Sequence, residues 1–283
     1  DLLVMAGVLR RGVKPGVILG HEISGIVVQV GEGTRLVEKG DRVVSLLTNA
    51  CGQCERCLSR REHRCLHGEG IGHGRDGGFA EYVVLSEFSL VKISESIDLT
   101  DAALLACPMG VALQAVQHVA EAGPGKTTVV TGAGGGLGIH ALQMAAALGS
   151  RVLAVTTSPD KLGQFAPLGA EEVLHTDELD FSEMVLALTE DLGAEVVIDT
   201  VGSVLFPSSW RSLAQFGRLV LLGEVAGKPV ELSLAEIIFR DAQVLGSSGV
   251  SRSVIERVAD MVSQGLVKPD RKSTRLNSSH VKR

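Results

Sequence analysis

The chain has 283 residues, 45% of them hydrophobic, which is enough to bury two cores. Its least polar stretch, residues 127–149, is broken by a glycine run, His140 and Gln143, which excludes a membrane span there. With 33 acidic against 27 basic residues the net charge is −6, which argues against nucleic acid or an anionic membrane as a partner, and 34 glycines with one Trp and one Tyr fit a turn-rich α/β protein. In chain order, an apolar segment at 2–8 precedes β-rich runs at 23–30, 42–47 and 82–85. Turn signals fall between them at Gly31-Glu-Gly33, Lys39-Gly-Asp41 and Asp76-Gly-Gly78. Short strands with frequent turns predict a small barrel-like β domain over residues 1–100.

Near residue 100 the pattern changes. Helical periods are expected at 101–106 and 111–121, a strand at 128–131 and a helix at 138–148. Strands at 151–156, 172–175, 195–199, 218–222 and 243–245 then alternate with helices at 159–168, 180–192, 204–215, 232–239 and 253–264. Such alternation predicts a doubly wound parallel sheet, covered on both faces, over residues 101–269. The last stretch is different in kind: residues 270–280 (DRKSTRLNSSH) match, codon by codon, one reading frame of a common sequencing-adapter oligonucleotide. Residues 270–283 are therefore expected to be a translated artefact. Leaving out their five basic residues and one acid moves the charge from −6 to −10.

Four of the five cysteines fall in one run, Cys51-x2-Cys54-x2-Cys57-x7-Cys65. Two-residue gaps let neighbouring thiolates converge on one tetrahedral ion, and zinc is the metal this spacing favours; an iron–sulfur cluster uses similar runs. A disulfide framework belongs to short secreted chains, and abundant thiols suit a reducing, cytoplasmic setting. Arg56, Arg60, Arg61 and Arg64 would offset the −2 charge of a four-thiolate zinc centre, so this basic cluster is no nucleic-acid signal. A closed site of four thiolates has no open coordination position and performs no chemistry, so it braces the 51–65 lobe.

The turn Gly132-Ala-Gly-Gly135-Gly136-Leu137-Gly138 follows a predicted strand and opens a predicted helix. That context suits a dinucleotide, whose pyrophosphate needs close backbone approach and the donors of a helix N-terminus. The end of the next strand carries no acid for a ribose 2′-OH. Instead Thr156, Thr157, Ser158 and Lys161 could hold a 2′-phosphate, which favours NADP, while nearby Asp160 keeps NAD open.

Taken together, the chain resembles the zinc-containing medium-chain alcohol dehydrogenases along nearly all of residues 1–269. Gly20-His21-Glu22 is similar to that family's GHE element, Gly40-Asp-Arg-Val43 to its GDRV turn and Gly77-Gly-Phe-Ala-Glu-Tyr82 to its GGFAEY segment. Asp199-Thr-Val-Gly202 and Gly217–Gly223 are similar to segments bordering its cofactor site. The resemblance implies a GroES-like β-rich domain with the zinc lobe, followed by a Rossmann-type sheet, with Asp199 and Gly223 near the cofactor. It further implies a structural zinc at the four-cysteine run and a catalytic zinc held by His21 and Cys107, with Glu22 close behind. Without the resemblance, Cys107 is an unexplained thiol, with a small buried core residue as the alternative. The family's first cysteine ligand would lie three positions upstream of Asp1, and the segment that returns to the catalytic domain would follow Pro269. Both are expected to be missing from a chain truncated at its two ends.

The implied activity is hydride transfer between an alcohol or carbonyl substrate and NAD(P). Its nearest rival is a zinc-independent enoyl or quinone reductase on the same fold, and an inactive zinc- and nucleotide-binding fragment is a third reading. The resemblance also implies homodimers or homotetramers, with residues 243–246 as a candidate pairing edge.

Overall fold

The computed structural model describes residues 1–7, 12–176 and 180–271; Val8 and residues 272–283 of the adapter-like tail lie outside the described residues. The chain divides into two compact units. The first comprises Asp1–Gly110 with Gly249–Gly265, and the second comprises Val111–Ser248 with the described residues after Gly265. The join thus falls ten residues later than the sequence suggested, and the helix Arg252–Ser263 groups with the first unit rather than with the parallel sheet. Its period showed that one face is buried. Val254, Ile255, Val258, Ala259 and Met261 form that face, and they pack on the 90s strand and the Leu105–Gly110 helix of the first unit.

In the first unit β1 (Ser24–Ile26), β2 (Arg42–Ser45) and, later in the chain, β5 (Leu90–Lys92) form an antiparallel sheet in the order β1-β2-β5. Between them β3 (Thr48–Asn49) pairs with β4 (Glu69–Gly70). Strand β2 is the centre: Val44 is fully buried and pairs with Ser24 on one side and Val91 on the other. The strand expected at 82–85 is absent. Tyr82 and Val84 carry strand propensity, but both side chains are exposed, and propensity without a partner ladder does not make a strand. The helix expected at 101–106 continues instead as a widened π-type turn, Leu105–Gly110, around Pro108. Proline has no N–H to donate, and Met109 reaches five residues back to the Leu104 carbonyl at 3.1 Å.

The second unit holds β6 (Thr127–Val130), β7 (Arg151–Thr156), β8 (Glu172–His175), β9 (Ala194–Asp199), β10 (Leu213–Leu221) and β11 (Gln243–Gly246). They form one six-stranded sheet in the order β11-β10-β9-β6-β7-β8, and every pairing is parallel. This is the doubly wound Rossmann-type arrangement: the chain moves out from β6 to β8, then returns to β9 and moves the other way, which leaves a crevice beyond the carboxyl ends of β6 and β9. Val129, Leu153, Val197 and Leu219 are fully buried in the sheet, beneath Phe181, Phe206 and Trp210. Residues 159–168 form two 3₁₀ turns, Pro159–Gln164 and Ala166–Leu168, rather than the expected helix; Pro159, Gly163 and Pro167 are the cause. The helix expected over 204–215 is Phe206–Arg211 only, because Leu213 already pairs in β10. No helix among the described residues is long and apolar enough to cross a membrane.

Candidate metal centres and cofactor site

The four-cysteine lobe brings its sulfurs together. Cys51 Sγ lies 3.5 Å from Cys65 and 4.0 Å from Cys57, and Cys54 Sγ lies 3.5 Å from Cys57 and 3.8 Å from Cys65. A tetrahedral ion at the zinc–sulfur distance of about 2.3 Å places its ligands about 3.8 Å apart, so the donor set fits zinc. None of the five cysteines is in a disulfide. Main-chain amides donate to the sulfurs. Cys51 N–H donates to Cys65 Sγ at 3.4 Å, and amides of Leu66 and Cys57 hold the Cys54 thiol down at about 6. Burial, with the neighbouring sulfurs, pushes the Cys57 thiol up to about 12. Arg56 instead donates to the Arg64 carbonyl at 3.0 Å and closes the lobe's second turn.

The second cluster joins His21, Glu22 and Cys107, whose ligand atoms all lie within 4.8 Å of one another. His21 is placed by backbone. Residues 18–20 run beside 77–79, with Gly77 N–H on Ile18 O (2.8 Å), Phe79 N–H on Leu19 O (2.9 Å) and Gly78 N–H on Gly20 O (2.9 Å). The approach is so close that a Cβ at Gly77 would stand 2.0 Å from Gly20 O and 2.8 Å from Leu19 O. Gly77→Ala should therefore lower stability by about 1–3 kcal/mol and displace His21. Thermal unfolding with metal content checks it against Gly25→Ala, where a Cβ meets nothing within 4 Å, and equal behaviour of the two variants contradicts it.

His21 Nε2 is 3.5 Å from Cys107 Sγ, and Nδ1 is 3.5 Å from Asp1 Oδ1, which also accepts from Gly20 N–H at 3.1 Å. Nitrogen and thiolate ligands on a tetrahedral zinc stand about 3.6 Å apart, so this pair also fits. A carboxylate behind Nδ1 fixes the ring's orientation and leaves Nε2 for the metal. The sequence used Asp1 only to locate the family's first cysteine; its role needed the fold that sets it against residue 21. Burial lowers the pKa of His21, which keeps its imidazole neutral and ligating, and Glu22 opposes that shift only in part. Burial, then the adjacent Glu22 carboxylate, pushes the Cys107 thiol up to about 12, a balance that a divalent cation reverses. In the described residues Glu22 supplies the third ligand atom of this cluster.

In the second unit the glycine turn sits at the carboxyl end of β6. A Cβ at Gly138 would stand 2.2 Å from Gly132 O, so only glycine allows the helix Gly136–Ala147 to start directly on the turn. Gly135 is its N-cap and no side chain caps that end, which leaves the first-turn amides of Gly136, Leu137 and Gly138 as donors for an anion. Lys161 folds back to donate from Nζ to the Gly134 carbonyl. Thr156 Oγ1 is buried and accepts from Ser158 N–H at 3.1 Å; Thr157 and Asp160 are exposed. Asp199, grouped by the sequence with the cofactor residues, is fully buried with its carboxylate engaged. Oδ1 accepts from Thr131 Oγ1, Val201 N–H and Gly202 N–H, each at 2.9 Å, and Oδ2 accepts from Ser209 Oγ at 2.8 Å. It organises the loop after β9, and its buried carboxylate is turned onto that loop.

Residues 1–95 match the alcohol dehydrogenase GroES-like domain, and residues 136–264 match the zinc-binding dehydrogenase family. The chain is 35% identical over 270 residues to an acryloyl-coenzyme A reductase of Sulfurisphaera tokodaii, covering 95% of this chain and 79% of that one. It is 31% identical over 259 residues to an alcohol dehydrogenase of Geobacillus stearothermophilus, covering 90% and 76%. The crystal structure of an NAD-dependent alcohol dehydrogenase superposes with a TM-score of 0.89 at 32% identity, covering 95% of this chain and 79% of that one. The protein belongs to the zinc-type medium-chain dehydrogenase/reductase superfamily and is an oxidoreductase of that group.

Proposed function

We propose that the protein transfers a hydride between an alcohol or carbonyl substrate and NADP. The observation that carries this reading is the His21–Cys107 pair, 3.5 Å apart, with Asp1 behind the imidazole: a donor set that, with Glu22, would leave a tetrahedral ion one coordination position for a substrate oxygen. A zinc ion held there by His21 and Cys107, with Glu22 beside it, would supply a Lewis acid for that oxygen. His21 stays neutral and ligating because of its burial, Asp1 holds the ring, and the amides of Gly136, Leu137 and Gly138 bind the pyrophosphate. The zinc at Cys51, Cys54, Cys57 and Cys65 braces its lobe.

A second reading has its own support, because two relatives of 35% and 36% identity are named acryloyl-CoA reductase; hydride would then go to a C=C conjugated with a thioester. Turnover with a series of primary and secondary alcohols, set against an enoyl thioester, with and without a chelator, separates the two. Chelator-sensitive alcohol oxidation supports the first, and chelator-insensitive enoyl reduction overturns it.

The NADP preference rests on Lys161 and the absence of an acid at the end of β7. Lys161→Ala should weaken NADPH binding about tenfold and leave NADH binding unchanged, as measured by fluorescence titration; equal effects on both would contradict it. A cytoplasmic setting suits five free thiols. The partners are a small-molecule substrate and further copies of this chain. For the latter, β11 is the outer strand of its sheet, and the helix Leu234–Arg240 exposes Leu234, Ile238 and Phe239.

A further inference from the structure

Beyond the strand ends of β9 and β10, the two chains stay paired. Leu222 N–H donates to Asp199 O at 2.8 Å and Val225 N–H to Val201 O at 3.0 Å, and a Cβ at Gly223 would stand 2.2 Å from Thr200 O. One side chain closes this extension. The Glu224 carboxylate accepts from Ser203 N–H (2.8 Å) through Oε2, and through Oε1 from Ser203 Oγ (2.7 Å), Ala226 N–H (2.8 Å) and Gly227 N–H (2.7 Å). Four donors from two loops converge on one exposed acid, and none of them is a cation. This is therefore no surface ion pair. It is an acceptor that ties the loop after β9 to the turn after β10. Desolvation opposes its ionisation, but the hydrogen bonds from Ser203, Gly227 and Ala226 outweigh that and hold the carboxyl down at about 2, so it is charged throughout the neutral range.

In a doubly wound sheet, the first mononucleotide half of a dinucleotide lies over the strands on one side of the switch point and the second half over the strands on the other. The glycine turn and Lys161 serve β6 and β7, and the loops joined by Glu224 cap β9 and β10. We propose that Glu224 is a positioning residue for the nicotinamide half of the cofactor, acting by locking the loops 200–203 and 222–227 into one rigid wall. The proposal rests on the dinucleotide reading above and adds to it a division of labour: Lys161 and the glycine turn hold the adenosine half, and Glu224 preorganises the other.

The test is calorimetric titration of the full chain with ADP, or its 2′-phosphorylated counterpart, and with the intact reduced dinucleotide. Native protein should bind the dinucleotide more tightly than the fragment. Glu224→Ala should lose about tenfold of that difference while binding the fragment unchanged. Glu224→Gln, which keeps one acceptor oxygen for Ser203 Oγ and the 226–227 amides, should fall between them. An unaltered difference in Glu224→Ala, or equal weakening of fragment and dinucleotide, would overturn the proposal in favour of a purely structural role. Failure of the native chain to bind the fragment would overturn the dinucleotide reading itself, and the proposal with it, before any variant is compared.

Discussion

Replacing Cys57 by serine should remove one equivalent of bound zinc and the order of the 51–65 lobe. Cys57 is 7% exposed, and its sulfur is within 4.0 Å of both Cys51 and Cys54. A hydroxyl is a poor replacement for a thiolate on zinc. The lobe has little else to hold it: its buried apolar cluster consists of Ala50 with Cys54 and Cys57, and the other two cysteines flank it. An apolar cluster of that size cannot offset the conformational entropy of fifteen ordered residues, whereas a structural zinc contributes on the order of 10 kcal/mol at neutral pH. Metal analysis should read one zinc fewer than in the native protein, and trypsin should cut at Arg60 and Arg61 at least tenfold faster, as for a locally unfolded segment. Unchanged zinc content with unchanged proteolysis would show that packing, and not metal, orders the lobe.

The second large effect is expected at the other cluster. His21→Ala removes the imidazole facing Cys107 and leaves the Asp1 carboxylate with the Gly20 N–H but no ring to orient. Loss of a group behind a metal ligand costs about 10–100-fold in affinity or activity, so loss of the ligand should cost more than about 100-fold in kcat/KM. Asp1→Asn then serves as the graded control. It keeps a polar group against Nδ1 but loses the carboxylate charge, and should fall in the 10–100-fold range. The four-cysteine lobe should keep its zinc in both variants, because none of its sulfurs touches His21. Turnover unaffected by His21→Ala would remove the metal from the chemistry and leave the enoyl-reductase reading in its place.

How far these sites could be read from sequence depended on how local their determinants are. The four cysteines lie within fifteen residues, so their spacing alone foretold the convergence the structure contains. The glycine turn was equally local, and Gly138 is required by its contact with Gly132 O within the turn itself. His21 and Cys107 are 86 residues apart, and they were paired only through the resemblance. Asp1 and Gly77 were not recognised as parts of the site, because their roles are contacts with residues 20 and 21 that only the folded chain creates. Asp199 was grouped with the segments bordering the cofactor site, and a motif does not show that Thr131, Val201, Gly202 and Ser209 donate to its carboxylate. The Arg252–Ser263 helix makes the same point at the level of the fold. Periodicity predicted a helix there, and nothing in it said which unit would cover the buried face.

A reacting metal is expected at His21 and Cys107, separate from the metal of the cysteine lobe. Anomalous diffraction at the zinc edge from crystals of the protein decides this. The expected map has two peaks, one among Cys51, Cys54, Cys57 and Cys65 and one within bonding distance of His21 Nε2 and Cys107 Sγ. A single peak in the cysteine lobe, with none at His21 in zinc-saturated crystals, would contradict it.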